Sequence, residues 1–132
     1  MEQGSLDYFR WFYAGRFDQA GEMEERWHED LVLHQSPDIP GTAGAFHGYE
    51  GLNAVMGELG ESYRNIRWDP VRVEDLGDDR YLVLISVTGK GIGSGIELKG
   101  ELAHIVTLRD GRATRLDTYL SMDAAREATG LS

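Results

Sequence analysis

Asp110-Gly111 constrains this chain more than any other pair of residues, because it sits between two alternating runs, Glu101 to Arg109 and Arg112 to Leu120. A two-residue type I′ turn needs positive φ at both positions, which Asp tolerates and Gly adopts freely, so the pair predicts a β-hairpin. Counting back from a two-residue loop places Arg109 opposite Arg112, Leu108 opposite Ala113, Val106 opposite Arg115, His104 opposite Asp117 and Leu102 opposite Tyr119. Directly opposed residues share a face. One face is therefore predicted to carry Leu102, His104, Val106, Arg115, Asp117 and Tyr119, and the other Ala103, Ile105, Thr107, Thr114, Leu116 and Thr118.

The remaining periodicities fill in an α+β order. Leu6, Phe9, Phe12 and Tyr13 recur at helical spacing over residues 6–14, with Ser5 as the expected cap and Gly15 as the stop. Asp18 is expected to cap a second helix to residue 26, with Met23 and Trp27 on one stripe, and residues 31–35 read as a short strand. Residues 36–46 hold Pro37, Pro40, Gly41 and Gly44 and no sustained period, which predicts a long loop. A third helix over 48–63 carries Leu52, Val55, Met56 and Leu59. A strand follows whose alternation slips at Pro70, consistent with an edge or a bulge. Residues 81–87 are almost continuously apolar, as in a strand covered on both sides. Gly89, Gly91, Gly93 and Gly95 make the next reversal; with no helix after them they are a strand connection rather than a phosphate cradle. Ser121 or Asp123 is expected to cap a short last helix ending at Gly130.

At 132 residues the chain reads as a single domain, with 41% hydrophobic and 27% charged residues. A formal charge of −10 disfavours nucleic acid. No window is long and apolar enough to span a membrane, and the first residues lack the pattern of a secretory signal, so a cytoplasmic protein with no membrane partner is expected. There is no cysteine, hence no thiol nucleophile or thiolate site. No His-x-x-x-His pair is present; His34 and His47 read as rim residues, and no metal site is expected.

The order of elements resembles the SnoaL-like branch of the nuclear transport factor 2-like superfamily, the ketosteroid isomerase and polyketide cyclase fold. The matching residues are Gly-Tyr-Glu-Gly-Leu before the third helix, Gly-Asp-Asp-Arg before the apolar strand, the Gly-Ser-Gly reversal, and the Thr-Leu-Arg-Asp-Gly-Arg hairpin. The resemblance implies one domain over residues 1–132: a cone-shaped, curved antiparallel sheet wrapped around N-terminal helices, with a largely apolar pocket at the open end. It also implies chemistry without a cofactor. By its pattern Asp117 matches the proton-transferring residue of the cyclases and His104, thirteen residues earlier, its neighbour, whereas Leu102 and Arg115 stand where those cyclases have polar or imidazole side chains. An isomerase of this fold also needs an oxyanion donor, usually a Tyr on the first helix, and Tyr13 and Tyr8 are available there without either being aligned to it.

A carboxylate and an imidazole in contact inside an apolar cavity can exchange protons near neutral pH, which suits abstraction next to a carbonyl. Two functions follow. One is an acid/base enzyme of the cyclase, isomerase or dehydratase type acting on a small hydrophobic carbonyl compound, with Asp117 and His104 catalytic and Tyr119, Arg115, His34, Leu102, Trp68 and Tyr13 around the substrate. The other is a non-catalytic pocket protein using the same residues. Polarity alone would send His104, Arg115 and Asp117 to water, but Leu102, Val106 and Tyr119 share their face and argue for the interior. The uncharged opposite face suggests a homodimer through the sheet.

Overall fold

The structure is a computed structural model and describes residues 2–15, 20–35 and 44–130. Its first helix, α1 (Glu2–Tyr13), buries Phe9, Phe12 and Tyr13. It starts before Ser5, which therefore lies within the helix instead of capping it; Glu and Gln are good helix formers and extend the first turn. The second helix, α2 (Ala20–Arg26), passes directly into β1 (Trp27–Gln35). Trp27 thus opens a strand rather than closing a helical stripe, and the Asp18 cap lies outside the described residues. From the expected loop, residues 44–46 belong instead to β2 (Gly44–His47), which pairs antiparallel with β1; residues 36–43 lie outside the described set.

The third helix, α3 (Gly48–Ser62), follows at once, and a Cβ on Gly51 would sit 3.0 Å from the Phe46 backbone, so a larger residue would crowd this tight strand-to-helix corner. Four long antiparallel strands complete the sheet: β3 (Tyr63–Gly77), β4 (Arg80–Gly91), β5 (Glu97–Arg109) and β6 (Arg112–Tyr119). The alternation slip at Pro70 is a register shift between Pro70 and Arg72 on an edge strand, where a missing N–H is tolerated. In β4 the adjacent residues Leu82 and Val83 are both fully buried, as expected of a strand covered on both faces. The order across the sheet is β2-β1-β6-β5-β4-β3, with β1 and β6 parallel. Neither β2 nor β3 closes onto the other, so the curved sheet stays open at its edges.

Helices α1 and α3 cover the inner face, where Phe9, Phe12, Leu52 and Val55 join Trp27, Leu33, Val83 and Val106 in the main core. The last helix, α4 (Met122–Ala128), lies on the outer face. Ser121 caps it by accepting a hydrogen bond from the Ala124 N–H at 3.0 Å, and Ala125 packs with Leu82, Ala103 and Ile105.

The hairpin turn forms as predicted, with positive φ at Asp110 (53°) and Gly111 (80°), but the register beyond it differs. Arg109 pairs with Arg112 and Leu108 with Ala113; then Thr107 pairs with Arg115, leaving Thr114 as an extra residue whose hydroxyl donates to the Thr107 carbonyl at 3.3 Å. One inserted residue turns every later side chain to the other face. His104 is opposite Thr118, Ile105 opposite Asp117, Val106 opposite Leu116 and Ala103 opposite Tyr119. The predicted pairing of His104 with Asp117 is thereby corrected. The uncharged outer face does not exist either: Leu116 and Thr118 point inward, while Ala103 and Ile105 are covered by α4, which removes the reason for placing a second subunit there.

Ala125→Glu should therefore lower stability in urea unfolding by on the order of 3 kcal/mol, because it drives a charge into the contact between α4 and the sheet. The same change at exposed Ala128 should cost far less. Equal losses at both positions would show that α4 is not packed as described.

Candidate functional site

Between α3 and the inner face of the sheet lies a cavity of about 100 Å³. Its roof is Leu52, Val55, Met56 and Leu59, the apolar stripe of α3, which amphipathic spacing turns toward the sheet. Its floor comes from alternate residues of β1, β6 and β5: Leu33 and Gln35, Leu116 and Thr118, Leu102 and His104. Tyr13 from the end of α1 and Trp68 from β3 close one side. A wider cleft of about 670 Å³ shares Tyr13, Met56 and Trp68 with the cavity and adds Arg10, Arg67 and Asp69, so the two adjoin across these three side chains.

Two ionisable groups meet inside. The Tyr13 hydroxyl is 2.7 Å from Nδ1 of His104, and their rings lie 5.6 Å apart, with Trp68 on another side of the imidazole at 6.2 Å. Complete burial pulls the His104 pKa down to about 3 and pushes that of Tyr13 well above its usual value. Both are neutral at physiological pH. Among the described residues the hydroxyl has no other acceptor, so the economical assignment has Tyr13 donating to Nδ1, which leaves the imidazole proton on Nε2. The pair is then a hydrogen-bond donor held in a hydrophobic wall.

The predicted site residues divide into two groups. His104, Tyr13, Leu102 and Trp68 come together in the cavity. Asp117, Arg115, Tyr119 and His34 gather on the outer face of the sheet. There Arg115 grips Asp117 with two hydrogen bonds, Nε to Oδ2 and Nη2 to Oδ1, both 2.9 Å. His34, registered with Asp117 across β1 and β6, places Nδ1 3.4 Å from Oδ1. Burial, and secondarily the charge of Asp117, raises the Tyr119 pKa. The Arg115 side chain is half exposed while the Asp117 carboxylate beneath it is largely buried, so the guanidinium covers the carboxylate from solvent. Tyr8, the other tyrosine of the first helix, donates to the Gly111 carbonyl at 2.6 Å and so braces the hairpin turn.

Gln35 and Thr118 had not been singled out in the sequence. The alternation Leu31, Leu33, Gln35 would have marked Gln35 as inward; nothing marked Thr118 without the bulge. Among the described residues no group of three or more His, Asp or Glu side chains converges as a metal site would require, and no helix is long and apolar enough to cross a membrane.

Comparison with known proteins adds the family context. A family model described as a SnoaL-like domain matches residues 6–116. No curated protein matches the chain. Among solved structures, TerC co-crystallised with polyporic acid superposes with a TM-score of 0.73 at 22% identity, covering 92% of this chain and 95% of that one. A putative isomerase from Bacillus subtilis gives 0.70 at 18% identity over 100% and 98% of the two chains. A putative SnoaL-like polyketide cyclase from Jannaschia gives 0.70 at 20% identity over 96% and 92%. At these identities the likeness is one of fold.

The buried imidazole makes stability depend on pH in a definite direction. Unfolding raises the His104 pKa from about 3 to its ordinary 6.5, so the unfolded chain takes up a proton that the folded chain refuses. The stabilisation is complete above pH 6.5 and is lost as pH falls from there toward 3. Its slope approaches about 1.4 kcal/mol per pH unit. Urea unfolding at about pH 7 and about pH 5.5 should show this loss in the wild type and a smaller one in His104→Gln. Equal losses in both would mean that the ring reaches solvent in the fold.

Proposed function

Starting from a chain that belongs to the SnoaL-like domain family, we propose that it binds a small, largely apolar carbonyl compound in the cavity under α3 and polarises the carbonyl through His104. The observation that carries this is the 2.7 Å contact between Tyr13 and His104, a neutral pair within an otherwise mainly apolar wall. A neutral imidazole held by a second group can donate Nε2–H to a carbonyl oxygen without bringing a charge into the cavity. Apolar walls supply affinity; the donor fixes orientation. Leu102 and Trp68 act as walls in this reading.

Acid/base turnover of the cyclase or isomerase type is the second reading. It is favoured by the putative polyketide cyclase and putative isomerase among the structural neighbours, and by a neighbour co-crystallised with polyporic acid. Proton abstraction needs a base, and Asp117 stands on the other side of the sheet. His104, with a pKa near 3, is a weak base. Binding with carbonyl polarisation therefore takes precedence, and Asp117, Arg115, Tyr119 and His34 belong to the outer surface and not to the ligand.

Acetophenone is a suitable probe. In calorimetric titration His104→Leu and Tyr13→Phe should each weaken its binding by about three- to tenfold, the worth of one hydrogen bond, while Asp117→Asn should leave it unchanged. The opposite pattern, loss with Asp117→Asn alone, would overturn the proposal. Deuterium uptake at the acetophenone methyl in heavy water, abolished by His104→Leu, would favour the second reading.

A further inference from the structure

Three polar side chains run side by side across the cavity floor. Gln35 of β1 is registered with Thr118 of β6, and Thr118 with His104 of β5, and all three line the cavity. With adjacent strands about 4.8 Å apart, the Cα atoms of Gln35 and His104 are separated by roughly 10 Å, which sets the span that two polar groups of one ligand would have to bridge. At one end His104 is engaged by Tyr13. At the other, Oε1 of Gln35 is buried and has no hydrogen-bond partner among the described residues. A buried acceptor without a donor is unfavourable, so a donor from outside the chain, water or ligand, would stabilise it.

We infer that Gln35 is a specificity-determining residue, accepting a hydrogen bond from an O–H donor carried by the same ligand whose carbonyl meets His104. The inference rests on the reading of the cavity as a carbonyl-binding site and narrows its ligand to a hydroxylated carbonyl compound, the hydroxyl set across a ring from the carbonyl. The apolar roof of α3 cannot satisfy that hydroxyl, so Gln35 separates such ligands from their unhydroxylated analogues. Discrimination of this kind is strong because a ligand lacking the donor leaves the amide oxygen unmet in a desolvated site.

The test compares acetophenone with 3′- and 4′-hydroxyacetophenone by calorimetry at about pH 6.5, where the phenols are protonated. At least one hydroxylated isomer should bind about tenfold more tightly than acetophenone, and in Gln35→Leu the ratio of the two affinities should fall to about one. Without ligand, Gln35→Leu should melt no lower than the wild type, since it removes an unmet polar atom. The inference is overturned if neither hydroxyl improves binding, if the gain survives Gln35→Leu, or if that variant melts well below the wild type, which would make the amide a structural partner. Failure of the underlying reading looks different: acetophenone would then not bind, or would bind equally well to Leu52→Trp, whose indole fills the cavity, and the role of Gln35 would fall with it.

Discussion

The one-residue bulge at Thr114 decides what this sheet can do. Pairing has period two along a strand, so a single inserted residue exchanges the inner and outer sets from Arg115 to the end of β6. Without it, Arg115 and Asp117 would point at the core and Leu116 and Thr118 at the surface. With it, the apolar and neutral residues go inward and the ion pair goes out. The hydrogen bond from Thr114 to the Thr107 carbonyl occupies an acceptor at the point where the ladder is interrupted.

Solvation explains why this arrangement suits the fold better than the unbulged one. An Arg–Asp fork enclosed among Leu33, Leu52 and Val55 would lose most of its hydration, and the desolvation penalty of two charges commonly exceeds their attraction. On the outer face the Arg115 side chain keeps half its exposure while still holding both oxygens of Asp117. The interior receives His104, which can shed its charge, and Tyr13, which has none to shed at neutral pH. The two titratable side chains that line the cavity are thus ones that can be neutral there.

Much of the architecture was legible because it depends on local signals. Asp110-Gly111 marks its turn, Pro70 its bulge on an edge strand, the unbroken apolar run of β4 its double burial, and Ser121 its cap. The resemblance to the SnoaL-like fold carried the remaining topology. Elements that depend on tertiary pairing were missed: β2 is a four-residue strand at the end of a Pro- and Gly-containing stretch that reads as loop until β1 is beside it, and Trp27 joins a strand in which Ala113 stands opposite. The candidate site was half legible for the same reason. His104, Leu102, Trp68 and Tyr13 lie outside the bulge's reach and come together on the inner face, whereas Asp117, Arg115 and Tyr119 lie beyond it. A bulge at threonine leaves no mark in composition or alternation, since threonine suits either face. His34 was misplaced differently, by its imidazole being read as a rim group of the pocket when the Leu31, Leu33, Gln35 alternation puts it on the opposite side.

What remains in the cavity sets the kind of chemistry it can support. A cationic donor would stabilise a developing oxyanion more strongly, yet here it would have to be kept charged among Trp68, Leu102 and the α3 stripe, at a cost that burial already imposes on His104 by drawing its pKa to about 3. A neutral donor gives a weaker field but is the same at every pH where the protein is folded and its carboxylates are ionised. Tyr13 strengthens it indirectly: by donating to Nδ1 it fixes the tautomer and polarises the ring, so that Nε2–H is the better donor. On the proposed reading, such a neutral donor suits polarising a carbonyl better than taking a proton from its neighbour, and the three-strand row from Gln35 to His104 would give that recognition a direction across the floor of the cavity.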